Sequence, residues 1–160
     1  MTYDELKHNM RPTEAHISGL HRLCRELLRP SDTVLEVGSF AGTSAEIIQG
    51  YCAVLFCVDG WELTWPGNPK HAQLAEADFD KTFANKKHVH KIKMCSEKAS
   101  KHFADSSLDM VYIDSDHAYK SVKAELAVWF PKVKAGGFMA GHDFGGLYLG
   151  VEQAVRERFD

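Results

Sequence analysis

The chain predicts an α/β domain: a mainly parallel central sheet of at least five strands with helices layered on both faces. Three observations carry that prediction. Strand-like and helical segments alternate five times along the 160 residues. One strand, Ala53 to Val58, is an unbroken hydrophobic run, as a parallel strand covered on both faces requires. Finally, most of the predicted strands end in glycines, carboxylates or imidazoles, and ligands of open parallel sheets bind beyond those carboxyl ends.

The elements follow in order. Residues 13 to 28 place Ile17, Leu20, Cys24, Leu27 and Leu28 at helical spacing, and Arg29, Pro30, Ser31 and Asp32 stop that helix. Thr33 to Val37 reads as the first strand, with a helix from Thr43 to Gln49 closed by Gly50. After the second strand, residues 61 to 70 form an irregular loop rich in proline, glycine and tryptophan. Residues 71 to 86 are helical with Leu74, Ala77, Phe79 and Phe83 inward; Val89 to Met94 is a strand and Glu97 to Phe103 a short helix. Leu108 to Ile113 is the fourth strand. Tyr119 to Val133 makes the clearest helix, with Val122, Leu126, Trp129, Phe130 and Val133 on one side, interrupted late by Pro131 and stopped by Gly136 and Gly137. Phe138 to Gly141 is the fifth strand and Gly150 to Phe159 the last helix. All of residues 1–160 are read as one domain, with a helical segment at 1–30 and the core at 33–160.

Composition narrows the function. Hydrophobic residues make up 44% and charged residues 26%, within the range of folded soluble domains. A net charge of −3 offers no general field for nucleic acid, and the basic stretch from Lys86 to Lys93 lacks interleaved aromatics. The cysteines, Cys24, Cys52, Cys57 and Cys95, have no metal or redox spacing and read as free thiols in a reducing, cytoplasmic setting. No export signal or membrane-length apolar run is visible, so no membrane partner is expected.

Chemistry gathers at the strand ends. The first strand delivers Glu36, Gly38, Ser39 and Gly42, and two glycines four apart permit a tight turn and a close backbone approach to a ligand. The second strand ends in Asp59, where a carboxylate can take hydrogen bonds from ribose hydroxyls or can simply serve the turn. The fourth ends in Asp114, Ser115, Asp116 and His117, the densest polar cluster in the chain.

Taken in order, VLEVGSFAGTSA, FCVDGW, MCSEKA, DMVYIDSDHAY and GGFMAGHDF resemble the class I S-adenosylmethionine-dependent methyltransferases, from about Val34 to Val155. The pairing of IDSDHAY with GHDF is most similar to the small-molecule O-methyltransferases of the catechol, caffeoyl-CoA, macrolide-sugar and cephalosporin type. That resemblance implies a Rossmann-like three-layer sandwich that binds S-adenosylmethionine and methylates a small hydroxylated acceptor. It implies that Glu36, Gly38, Ser39 and Gly42 line the methionine part, Asp59 holds the ribose, Trp61 lies against the adenine, and Ser96 with Glu97 meets its edge. Asp114 would stand between cofactor and acceptor, and His117 would be the general base.

In metal-dependent members an Asp at position 114 and two residues after the fifth strand hold a divalent ion such as Mg²⁺ or Mn²⁺, and here those two are His142 and Asp143. An imidazole suits Mn²⁺, Fe²⁺ or Zn²⁺ better than Mg²⁺. Two readings of His142 and Asp143 therefore stand side by side: metal ligands with Asp114, or a locally bonded imidazole and a turn cap. Asp116 either orients His117 or caps the following helix, the cap being the ordinary use. The other histidines, His16 among them, read as solvated. Trp61, Trp65, Phe144, Leu147 and Tyr148 flank the strand ends and suit the wall of an acceptor pocket, although Trp65 before Pro66 also suits a packing anchor.

The family usually continues with a reversed hairpin as strands six and seven, which this chain lacks before Asp160. Either the hairpin is missing or the bare fifth-strand edge pairs in a homo-oligomer, a dimer in the simplest case. Two rival functions are a Rossmann oxidoreductase, disfavoured by the ExGxxxG spacing, and a cofactor-binding module without chemistry.

Overall fold

The computed structural model describes residues 2–9, 12–62 and 69–160. Five strands form one sheet in the order β3-β2-β1-β4-β5, and every neighbouring pair is parallel. They are β1 (Thr33–Val37), β2 (Val54–Asp59), β3 (Val89–Lys93), β4 (Leu108–Ile113) and β5 (Val133–Gly141). The helices are α1 (Tyr3–Asn9), α2 (Glu14–Leu27), α3 (Thr43–Ile48), α4 (Pro69–Phe83), α5 (Ser96–Ala99), α6 (Tyr119–Trp129) and α7 (Leu149–Phe159). This is the expected Rossmann-like α/β sandwich. No helix among the described residues is long and apolar enough to cross a membrane.

Strand alternation divides the core in two. Val34, Leu55, Cys57, Met110 and Tyr112 point to one face and pack with Cys24 of α2, Ala45 and Ile48 of α3, and Ala75, Phe79 and Phe83 of α4. Leu35, Val37, Val58, Val111 and Ile113 point to the other and, with Leu108 at the start of β4, meet Ala99 of α5, Val122, Leu126 and Trp129 of α6, and Val151 and Ala154 of α7. Both faces are thus dry, which is why β1 and β4 are mostly apolar, with Glu36 and Asp109 as their only charged positions. On that alternation Glu36 belongs to the first face, and it is 0% exposed.

Several elements differ from the sequence reading. The seven-residue α1 lies within the helical segment expected at 1–30 but is a separate helix with no bounds legible in the sequence; its lone buried side chain, Leu6, is too little to set a period. Helix α6 stops at Trp129 and passes through a 3₁₀ turn, Phe130–Lys132, short of the expected end at Val133, and Pro131 interrupts it as expected because it has no N–H to continue the ladder. Gly136 and Gly137 lie inside β5 and stop no helix. Leu108 faces Val133 and Met110 faces Phe138, so β5 carries extra residues there. Gly136 has φ +79°, and a Cβ on Gly137 would sit 2.6 Å from the Asp109 carbonyl oxygen, so a bulge of this shape needs both glycines. The segment 97–103 is split into α5 and a 3₁₀ turn, Ser100–His102. Trp65 and Pro66 lie outside the described residues.

Candidate active site

The carboxyl ends of β1, β2 and β4 are locked together by backbone contacts. Gly38 N–H donates to the Val58 carbonyl at 2.8 Å, and Asp114 N–H donates to the Val37 carbonyl at 2.8 Å. Gly38 has φ +91°, and a Cβ there would fall 2.1 Å from the Asp114 carbonyl oxygen. No other residue type fits, in conformation or in space. At the other end of the turn Gly42 has φ +89°, and its missing Cβ leaves room for the Phe83 ring.

Asp59 fastens this turn to β2. Its Oδ2 accepts from Phe40 N–H at 2.8 Å and its Oδ1 from Trp61 N–H at 2.7 Å, while Trp61 Nε1–H donates to the Phe40 carbonyl at 2.8 Å. Phe40 and Trp61 are held at φ 44° and 46°, conformations that side chains rarely adopt without such ties. Trp61 is 3% exposed, edge-on to Phe79 and with the Lys91 ammonium 4.8 Å from its ring centre. The resemblance set this ring against adenine; here it stands in the core and holds the Asp59 turn.

Glu36 is the most conspicuous group. Neither carboxylate oxygen has a hydrogen bond of acceptable geometry, and the buried Ser39 Oγ beside it has none either. Burial drives its pKa up to about 7; the Ser39 and Ser44 hydroxyls oppose that rise, and the charges of Asp114 and Asp59 add to it. Asp59 and Asp114 are themselves raised, in each case chiefly by burial. Three carboxylates thus share one region with no cation among the described residues bonded to Glu36, an arrangement suited to a positively charged ligand.

A second cluster lies beyond β4 and β5. His117 Nε2 is 2.7 Å from Asp143 Oδ2, and His142 Nδ1 is 3.0 Å from the same oxygen. Asp143 sits at φ +64° in the left-handed region. One ligand atom each from Asp114, His117 and Asp143 lies within 4.8 Å of the others. The structure therefore gathers His117 with the two aspartates where the sequence reading named His142. His142 turns its ring edge-on to His16 of α2, with centres 4.9 Å apart. Burial pulls its pKa down, but the hydrogen bond to Asp143 and the charges of Asp114 and Asp143 outweigh that and leave it raised. His117 stacks on Tyr148, ring centres 4.0 Å apart and 16° from parallel.

Asp116 serves the start of α6: Ala118 N–H donates to its Oδ1 at 3.1 Å and Ser121 Oγ to its Oδ2 at 2.5 Å. The partner that orients His117 is Asp143. Ser96 is engaged behind the site, accepting from Trp129 Nε1–H at 2.8 Å, and Glu97 is exposed at the first turn of α5. Ser115 Oγ donates to Glu125 Oε2 at 2.5 Å, and burial, with Ser115 and Ser96 opposing, pushes that carboxyl up to about 7.

Glu125 and His16 were missed from sequence. Glu125 falls on the inward face of α6 beside Leu126 and Val122, a position that a helical period marks as core and that could have flagged a buried acid. Nothing local ties His16, near the start of α2, to a site formed after β5.

The family described as methyltransferase domain matches residues 35–144, well over half of the chain, and the chain belongs to that family. S-adenosylmethionine is the cofactor of this family. Among solved structures, a Corynebacterium glutamicum protein shares the fold with a TM-score of 0.69 at 16% identity, covering 99% of this chain and 78% of that one. An rRNA methylase from Streptococcus thermophilus gives 0.66 at 13% identity over 93% of this chain and 80% of that one. A geranyl diphosphate methyltransferase in complex with S-adenosylmethionine gives 0.58 at 13% identity; 79% of this chain matches 48% of that one. No curated protein is significantly similar in sequence. Neighbours that act on substrates as unlike as these leave the acceptor open.

Proposed function

We propose that this protein transfers the methyl group of S-adenosylmethionine to a hydroxyl of a small molecule, with His117 as the general base. The observation that carries the reading is the pairing of a buried Glu36, without a hydrogen bond among the described residues and beside the Gly38 turn, with a dyad of His117, after the neighbouring strand β4, and Asp143, after β5. Bound S-adenosylmethionine supplies a methyl on a sulfonium, which passes in line to the acceptor oxygen as sulfur takes back the bonding pair.

The chain's own residues do the rest. Glu36 meets the cationic methionine end, and Gly38 and Gly42 let the backbone approach it closely. Asp59 keeps lone pairs free, beyond the two it lends to backbone N–H groups, to accept from ribose hydroxyls. Asp143 holds the His117 ring through Nε2, and His117 takes the hydroxyl proton as the new carbon–oxygen bond forms. Methyl transfer depends more on in-line placement than on covalent help, so the locked turns around Gly38 and Asp114 contribute directly.

A divalent ion would be held by Asp114, His117 and Asp143, whose mixed donors suit Mn²⁺, Fe²⁺ or Zn²⁺ better than Mg²⁺, and its charge would acidify a nearby hydroxyl. Held there, it would take His117 as a ligand and remove it as a base. The base reading therefore expects turnover to survive a chelator. Calorimetric titration with S-adenosylmethionine, followed by detection of S-adenosylhomocysteine against hydroxylated acceptors with and without chelator, tests both. Absence of cofactor binding sinks the reading, and binding without turnover on any acceptor leaves a binding module in its place.

A further inference from the structure

The segment between β5 and α7, together with the first residue of that helix, is unlike an ordinary surface loop. Phe144 is 52% exposed, Leu147 95%, Tyr148 41% and Leu149 75%. Connecting loops normally show solvent polar side chains, and a run of exposed large apolar groups marks a place where something binds. From Phe144 to Gly150 the sequence is FGGLYLG, so Tyr148 is the one side chain there with a hydrogen-bonding group.

This segment is built onto the proposed base. Its leading end is fixed where a Cβ on Gly141 would meet the Ile113 carbonyl oxygen at 2.7 Å. Its trailing end is fixed where a Cβ on Gly150 would meet Tyr119 N at 2.7 Å and the His117 carbonyl oxygen at 2.9 Å. Between those anchors Tyr148 lies flat on the His117 ring, and Phe144 turns towards α7, where the Arg156 guanidinium sits 5.3 Å from its ring centre. Through Tyr148 the segment touches the imidazole that receives the acceptor's proton in the function proposed above.

Resting on that function, we propose that the Phe144–Leu149 segment seats the body of the acceptor. The acceptor is then a hydroxyl-bearing molecule with an extended hydrocarbon part, such as an alkyl-substituted phenol, rather than a sugar or a nucleoside. A polyol needs several convergent donors and acceptors to replace its hydration, and this segment offers one hydroxyl. A hydrocarbon body needs only apolar area, which the segment holds out to solvent.

A series of 4-alkylphenols of growing chain length, assayed for S-adenosylhomocysteine formation, tests this. We expect kcat/KM to rise about two- to four-fold per added methylene until the chain outgrows the segment. Leu147→Ser with Leu149→Ser should flatten that slope while calorimetry shows S-adenosylmethionine bound as tightly as before; both positions are exposed, so folding is not at stake. A slope that is flat or falling in the unaltered protein overturns the proposal, as does faster turnover of polyols or nucleosides. It also falls if cofactor binds while no alkylphenol is turned over or retained in equilibrium dialysis. Concentration-dependent association abolished by the two substitutions, with no chain-length slope, would make the segment a contact between copies instead. Failure of the unaltered protein to bind S-adenosylmethionine would strike the methyltransferase reading itself.

Discussion

Glu36 makes cofactor affinity a function of pH, and the size of the effect can be worked from its surroundings. In the free protein burial lifts this carboxyl from 4.5 to about 7, so near neutrality it is roughly half protonated. A cationic ligand against it favours the ionised form, and binding must therefore expel a proton from whatever fraction still holds one. With a pKa near 7, affinity at pH 6 should be about one-tenth of that at pH 8, about 1.4 kcal/mol, and should level off above pH 8. Calorimetry in two buffers of different ionisation heat measures both affinity and protons released. Glu36→Gln should weaken binding at every pH and abolish the dependence. Wild-type affinity that does not change between pH 6 and pH 8, or a Gln variant that keeps the slope, would refute the argument.

Further outcomes follow from the same geometry. Because the folded protein holds the Glu36 proton where the unfolded chain has lost it, the stability this group contributes is full below pH 4.5 and lost as pH rises through about 7. Denaturant titrations should show the wild type losing on the order of 3 kcal/mol relative to Glu36→Gln between pH 4.5 and pH 8; equal losses in both would contradict it. His117→Ala should keep cofactor affinity and lower turnover by about 10²- to 10⁴-fold, and stopped assays showing unchanged turnover would remove it from the mechanism. Gly38→Ala forces a Cβ onto the Asp114 carbonyl and a side chain into φ +91°, so thermal unfolding should reveal a loss of at least ~2 kcal/mol. Strand β5 pairs only with β4 among the described residues, so self-association through its outer edge is expected; sedimentation velocity showing a monomer at every concentration would exclude it.

The legible parts of the fold are those where one physical pressure acts. Thr33–Val37 and Leu108–Ile113 are central strands buried on both faces, and their largely apolar segments are read with the bounds they have. β5 mixes two pressures: Gly136 and Gly137 look like a helix stop, yet a bulge beside Asp109 requires them. At the site, the sequence order of a parallel sheet is enough to bring Glu36, Asp59 and Asp114 to one rim, since Asp59 ends a strand, Asp114 follows one and Glu36 is the last residue but one of a third. The pairing of His117 with Asp143 is not legible. Asp116 is the neighbour in sequence, and only the left-handed backbone at 143 swings the more distant carboxylate under the imidazole. His16 is hidden for a related reason, because its partner His142 is reached through the packing of α2 on the sheet.

Asp143 also carries a consequence for anyone who tries to make this protein more robust. Its left-handed backbone is a strain of about 1–3 kcal/mol that glycine would relieve. A search for hardier variants by heat alone should thus pick glycine at 143 and return a tougher protein without its carboxylate. Resilience and chemistry pull against each other at that single position.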